Sequence, residues 1–156
     1  MPVTTRRATL DDLEAVAPLF ADYRTFYSMT PDLDTARRFL HERLARDESV
    51  IFLAELDGMP AGFTQLYPMF SSVRAQRTFI LNDLFVAAHA RRKGVAQSLL
   101  SAAAAFGREA GAIRLELETM PDNHAAQALY RAEGWQPNDE TLRFQLPLAS
   151  TWSDDA

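Results

Sequence analysis

The chain has 156 residues, 47% of them hydrophobic and 24% charged, which suits one globular domain with a buried core. Its net charge of −5 argues against a nucleic-acid surface, and the absence of cysteine excludes disulfides, thiolate nucleophiles and cysteine metal sites. No apolar run approaches the roughly 18 residues of a membrane span and the N-terminus lacks a signal-peptide core, so a soluble cytoplasmic protein without a membrane partner is expected. Residues 1–149 read as a single domain and 150–156 as a C-terminal tail.

In chain order, residues 3–8 read as an edge strand. Thr9 then opens a helix with Asp11 and Asp12 in its first turn, where carboxylates favour the helix dipole. Leu13, Val16, Phe20, Tyr23 and Tyr27 recur at helical spacing, and Pro18 inside that pattern predicts a bend or two short helices. Pro31, Asp32 and Asp34 mark a turn and cap before a second amphipathic helix carrying Phe39, Leu40 and Leu44. Tyr23, Phe26 and Tyr27 are expected in the core, with a place on a pocket wall as the alternative. Residues 49–56 and 61–67 read as a hairpin joined by Asp57-Gly58-Met59-Pro60, ended by Tyr67-Pro68, with 69–76 as a loop.

Residues 79–86 are apolar except for Asn82 and Asp83, which predicts a central strand covered on both faces with a polar break. Arg91-Arg92-Lys93-Gly94-Val95-Ala96 follows and leads into an alanine-rich helix to Ala110. A helix start carries amides without intrahelical partners and the positive dipole end, and small residues at Gly94 and Ala96 let an anion approach them. The turn therefore reads as a phosphate cradle, and on the turn alone a solvated basic connection stays open. Residues 112–119 alternate as a strand, with Glu116 and Glu118 on the solvent side. Asn123 caps a last helix that stops at Gly134, and residues 135–146 suggest a final hairpin.

Arg91-x-x-Gly94-x-Ala96 between an apolar strand and a helix resembles the acyl-CoA pyrophosphate motif of the GNAT N-acetyltransferase superfamily. Asn123, followed by Ala128-Leu129-Tyr130-Arg131-Ala132-Glu133-Gly134-Trp135, is similar to that family's second signature. The element order gives an α+β fold, a mixed, mostly antiparallel sheet with helices on both faces and one parallel strand pair across the crossover helix. The resemblance implies the GNAT acyl-CoA N-acyltransferase fold, in which that pair splays around acetyl-CoA, and a bulge near Leu84 to Val86 that frees backbone amides. It implies a cosubstrate site of Leu84, Phe85, Val86, Arg91, Arg92, Lys93, Gly94, Val95, Ala96, Gln97, Asn123 and Tyr130.

Acyl transfer to an amine passes through an oxyanion, which a freed N–H near Phe85 or Val86 would stabilise. The leaving thiolate needs a proton, and the family's tyrosine at the position of Tyr130 supplies it; on spacing alone Tyr130 is a core residue. Asp83 is the candidate base, because a carboxylate in an apolar strand is costly without a partner or a purpose. Tyr27, Tyr67, Asp83 and Glu118 are the candidate acceptor residues. His41, His89 and His124 have no metal-ligand spacing, so no metal is expected. The expected activity is acetyl transfer from acetyl-CoA to a primary amine of a small molecule by direct attack in a ternary complex. A protein or peptide N-acetyltransferase and a non-catalytic acyl-CoA-binding module are the alternatives, and a homodimer is an admissible assembly that the sequence does not choose.

Overall fold

The computed structural model describes residues 2–149. Strand β1 (Val3–Arg7) is the sheet edge, and Thr9 caps a 3-10 turn (Leu10–Asp12) in a capping box with Asp12. Helix α1 (Leu13–Phe26) runs through Pro18 without being divided in two. The division into two short helices does not occur, because Val16, Ala17, Leu19 and Phe20 on either side of the proline are all buried and their packing outweighs one lost backbone bond. Helix α2 (Leu33–Ala45) starts at Asp32, whose side chain accepts from the Thr35 amide.

Strand β2 (Val50–Leu56) turns at Asp57 and Gly58, both in the left-handed region, into β3 (Met59–Ser71). β3 does not end at Pro68 and residues 69–71 are not loop: the strand continues to Ser71 and pairs with β4 (Gln76–Val86) from Ser71–Gln76 to Gly62–Val86. Proline is tolerated there because β2 no longer flanks β3, their pairing ending at Val50–Leu66. Helix α3 (Val95–Glu109) crosses over to β5 (Leu115–Glu116), which is parallel to β4. The sheet order is β1-β2-β3-β4-β5. The strand expected over 112–119 pairs at two residues only, Phe79–Leu115 and Ile80–Glu116, before β4 and β5 part.

Helix α4 (His124–Ala132) is capped by Asn123 and ends in a Schellman motif, with Gly134 N–H on Arg131 and Trp135 N–H on Tyr130. No strand follows among the described residues, so the expected final hairpin is absent. β5 offers a two-residue edge, too short to template it, and Leu142, Phe144, Leu146 and Leu148 remain 81–91% exposed. The tail from residue 150 lies outside the described residues.

Helices cover both faces of the sheet. α3 closes one core with Phe52, Leu66, Phe79, Leu81, Leu99 and Leu100, while α1 and α2 close the other with Ile51, Leu53, Phe63, Phe20 and Leu40. The α3 side depends on one close approach: a Cβ on Gly62 would lie 2.6 Å from the Phe85 carbonyl oxygen and 3.1 Å from Val95 Cγ1. We expect Gly62→Ala to force β3 from β4 and cost about 2–3 kcal/mol, in the upper range for overpacking. Urea denaturation checks this, and an unchanged midpoint would refute it.

Candidate functional site

β4 is out of phase with itself. Phe79 and Leu81 belong to the α3 core, and so do Leu84 and Val86, although an unbroken strand would put 81 and 84 on opposite faces. The register against β3 jumps from Leu66–Leu81 to Gln65–Asp83, leaving Asn82 unpaired as a bulge. The bulge therefore lies at Asn82, not near Leu84 to Val86, where pairing with β3 is regular. Its effect is to turn Asp83 and Phe85 toward α1.

Asp83 is 2% exposed and surrounded by hydrogen-bonding groups. Its Oδ2 accepts from Gln65 Nε2 at 2.6 Å and its Oδ1 from Asn82 Nδ2 at 2.8 Å, while the Thr64 hydroxyl donates to its backbone carbonyl at 2.7 Å. Tyr23 of α1 faces the carboxylate and donates to the Asn82 carbonyl at 3.3 Å. Burial holds the Asp83 carboxyl above the usual carboxylate range, against hydrogen bonds from Asn82, Gln65 and Tyr23 that favour the ionised form. Burial and the nearby Asp83 charge also keep the Tyr23 and Tyr67 hydroxyls protonated, well above the ordinary phenol value.

Tyr27 stacks edge-on against Tyr23 with ring centroids 5.0 Å apart, so Tyr23, Tyr27, Tyr67 and Asp83 form one wall on the α1 side of the sheet. Tyr130 of α4 is half-buried against the α3-side core and beside Trp135; burial, and then the neighbouring Tyr27, raise its hydroxyl. Glu118 is not brought into the group: it is exposed beyond β5 and paired with Arg143. Gln65 and Tyr23 carry the cluster with Asp83. The signal for Gln65 in the sequence was an amide between Phe63 and Tyr67 in a mostly apolar strand.

On the β5 side, β4 loses its neighbour after Ile80, so residues 81–86 present a free edge toward the gap. The edge ends at Val86, whose carbonyl accepts from Arg91 Nε at 3.4 Å. Arg92 and Gly94 both take the left-handed conformation, and α3 makes its first bond from Ser98 to Gly94, which leaves the amides before it without helical partners. A Cβ at Gly94 would meet nothing nearer than Gln97 Oε1 at 3.8 Å, so space stands open over the helix end. Arg91, Arg92 and Lys93 are exposed around it. The helix end therefore offers open, cationic space with amides free to meet an anion. Asn123, at the start of α4, uses its side chain as a cap on Ala126. Among the described residues no cluster of acidic or histidine side chains is placed to hold a metal, and no helix is long and apolar enough to cross a membrane.

Comparison with known proteins places this geometry. The profile of the acetyltransferase (GNAT) family matches residues 13–135. The chain is 50% identical over 141 residues to an uncharacterized N-acetyltransferase of Bacillus subtilis, YhfO, covering 90% of this chain and 95% of that one. The crystal structure of a probable acetyltransferase superposes with a TM-score of 0.88 at 43% identity, covering 96% and 99% of the two chains. The aminoglycoside N-acetyltransferase AAC(6')-Iy in complex with CoA shares the fold, with a TM-score of 0.79 at 22% identity over 93% of this chain and 95% of that one.

The raised Asp83 carboxyl has a stability consequence. As pH rises the unfolded chain loses this proton first, near pH 4, so the folded state is penalised from there through its own higher value and above it. Each unit of upward shift corresponds to about 1.4 kcal/mol. Asp83→Asn removes that penalty, and about 1 kcal/mol moves the melting temperature of a chain this long by roughly 2–4 °C. We expect the variant to melt above the parent at pH 7, with the gap closing below pH 4. A gap of the same size at pH 3 and pH 7 in calorimetry would refute the assignment.

Proposed function

Because the chain belongs to the GNAT acetyltransferase family, and is an acetyltransferase, we propose that it moves the acetyl group of acetyl-CoA to a primary amine of a small molecule, by direct attack within a ternary complex. The observation that carries this reading is the free edge of β4 between two different environments, an open cationic helix end at Gly94 and a buried carboxylate at Asp83.

The cradle residues Arg91, Arg92, Lys93, Gly94, Val95, Ala96 and Gln97 would hold the pyrophosphate of acetyl-CoA, and the gap between β4 and β5 would take its pantetheine arm beside Leu84, Phe85 and Val86. Asn123 and Tyr130 would flank the arm from α4. The N–H of Val86, which alternates away from β3 because the Ala87 N–H bonds to the Ala61 carbonyl, would donate to the oxyanion as the amine attacks. Asp83 accepts the amine proton, directly or through water, its burial bringing its affinity for protons closer to that of the amine. Tyr130 then gives its proton to the departing thiolate.

The acceptor enters past Tyr23, Tyr27 and Tyr67, an aromatic wall with a single carboxylate behind it, which supports a small amine over a peptide. The alternate exposed side chains Leu142, Phe144, Leu146 and Leu148 support a homodimer as the working assembly, and a cytoplasmic location belongs to the same proposal.

Turnover of acetyl-CoA against tyramine, spermidine, kanamycin and an alanine-initiated peptide tests the reading. Acetylation of one or more of the first three supports it, turnover with the peptide alone favours protein N-acetylation, and binding of acetyl-CoA without turnover leaves a binding module. Gly94→Glu should abolish measurable acetyl-CoA binding in calorimetry, because the new side chain enters the space over the helix end and adds like charge. Tyr130→Phe keeps the ring and removes the proton donor, so kcat should fall about 10²-fold, the lower end for positioned acid catalysis, with acetyl-CoA affinity nearly unchanged. Full turnover in that variant would remove the acid assignment.

A further inference from the structure

Gln65 meets the Asp83 carboxylate in an unusual state. Its side chain is fully buried, its Nε2 donates to Asp83 Oδ2 at 2.6 Å, and its Oε1 has no hydrogen-bond partner. The orientation is dictated by chemistry, since an ionised carboxylate only accepts and must be met by the NH2 end of the amide. The other end is then stranded, and a buried acceptor without a donor is costly.

The same carboxyl in its neutral form inverts the demand. A proton on Oδ2 becomes a donor, and the group that satisfies it is an amide oxygen. Turning the Gln65 amide over by half a rotation puts Oε1 where Nε2 was. Asn82 can continue to donate to Oδ1 in both states, because that oxygen remains an acceptor.

We propose that Gln65 is a positioning residue for Asp83, its amide turning over as the carboxyl takes up and releases a proton, so that both protonation states are hydrogen-bonded. This rests on the reading of Asp83 as the base. The proton balance is simple: the amine N–H bond breaks and an Oδ2–H bond forms, Gln65 Oε1 accepts from it, and the proton passes to water when product leaves and the amide returns. Of the groups that meet the carboxyl, Asn82 is exposed and Gln65 is the fully buried amide whose far end has no partner. Tyr23 from α1 and Tyr67 from β3 stay protonated far above neutral pH, and Arg43 of α2 stands behind Tyr67 as a fixed cation. An acid limb above the usual carboxylate range that disappears in Asp83→Asn is therefore the limb of Asp83.

Gln65→Met keeps the length of the side chain and removes both hydrogen-bonding ends. The bond lost from the ionised form is charge-assisted and roughly twice as strong as the neutral one lost from the protonated form, so the acid limb of kcat/KM should move upward by roughly half a pH unit to one, with acetyl-CoA affinity unchanged. The assay uses whichever of the four panel amines turns over fastest. A profile that overlays the parent's in Gln65→Met, while Asp83→Asn shifts or loses the limb, overturns the inference and leaves Asp83 as the base. A profile that overlays the parent's in Asp83→Asn overturns the base assignment itself, and the role of Gln65 with it. The parent protein supplies a second readout that needs no variant to fold. In isotope-labelled protein the Gln65 side-chain NH2 resonances should titrate with the same midpoint as the Asp83 carboxyl carbon. Resonances that stay fixed while Asp83 titrates overturn the proposal.

Discussion

A carboxylate buried in a β-sheet must be met by donors, and much of the geometry around β3 and β4 follows from meeting Asp83. Its two oxygens are taken by Gln65 and Asn82, and its backbone carbonyl by the Thr64 hydroxyl. These contacts require Asp83 to lie on the α1 face opposite Gln65, a placement that regular alternation from Phe79 and Leu81 would deny it. The unpaired Asn82 supplies the one-residue shift. That shift also returns Leu84 and Val86 to the α3 core, so one irregularity serves a polar site on one face and apolar packing on the other.

The second constraint is the short contact between β4 and β5. A crossover helix must connect them, and α3 packs along β2, β3 and β4, holding its N-terminus close to the end of β4 through Val95 and the close approach at Gly62. Because the strands share two rungs and then diverge, the free edge of β4 and the open start of α3 border the same gap. The open helix end and the unpaired strand edge are therefore consequences of one packing arrangement. On the other face of the sheet α1 adds the aromatic wall of Tyr23, Tyr27 and Tyr67.

Several features were legible from residues alone because their causes are local. Asp32, Asn123 and Gly94 mark helix ends through their own side chains or lack of one, and Gly134 stops α4 through a backbone conformation that favours glycine. Asp57-Gly58 fixed the first hairpin in the same way. Pro18 and Pro68 misled, since a lost backbone bond is a small local term that the burial of Val16, Ala17, Leu19 and Phe20, or the absence of a flanking strand, overrides.

By itself the sequence determined the acetyltransferase motifs, the helix with its cationic start, the two-sided sheet and the presence of an acidic residue in a central strand, all of which are patterns along one segment. Only the tertiary structure decided where the bulge falls, how soon β4 and β5 part, that Glu118 lies apart from Asp83, and that residues 136–149 find no strand partner among the described residues. Those outcomes depend on which residues from distant segments face one another, and on whether a buried polar atom finds a donor there. Gln65 shows the difference most plainly: in the sequence it is one amide among apolar neighbours, and its meaning comes from the carboxylate that the register of another strand sets opposite it.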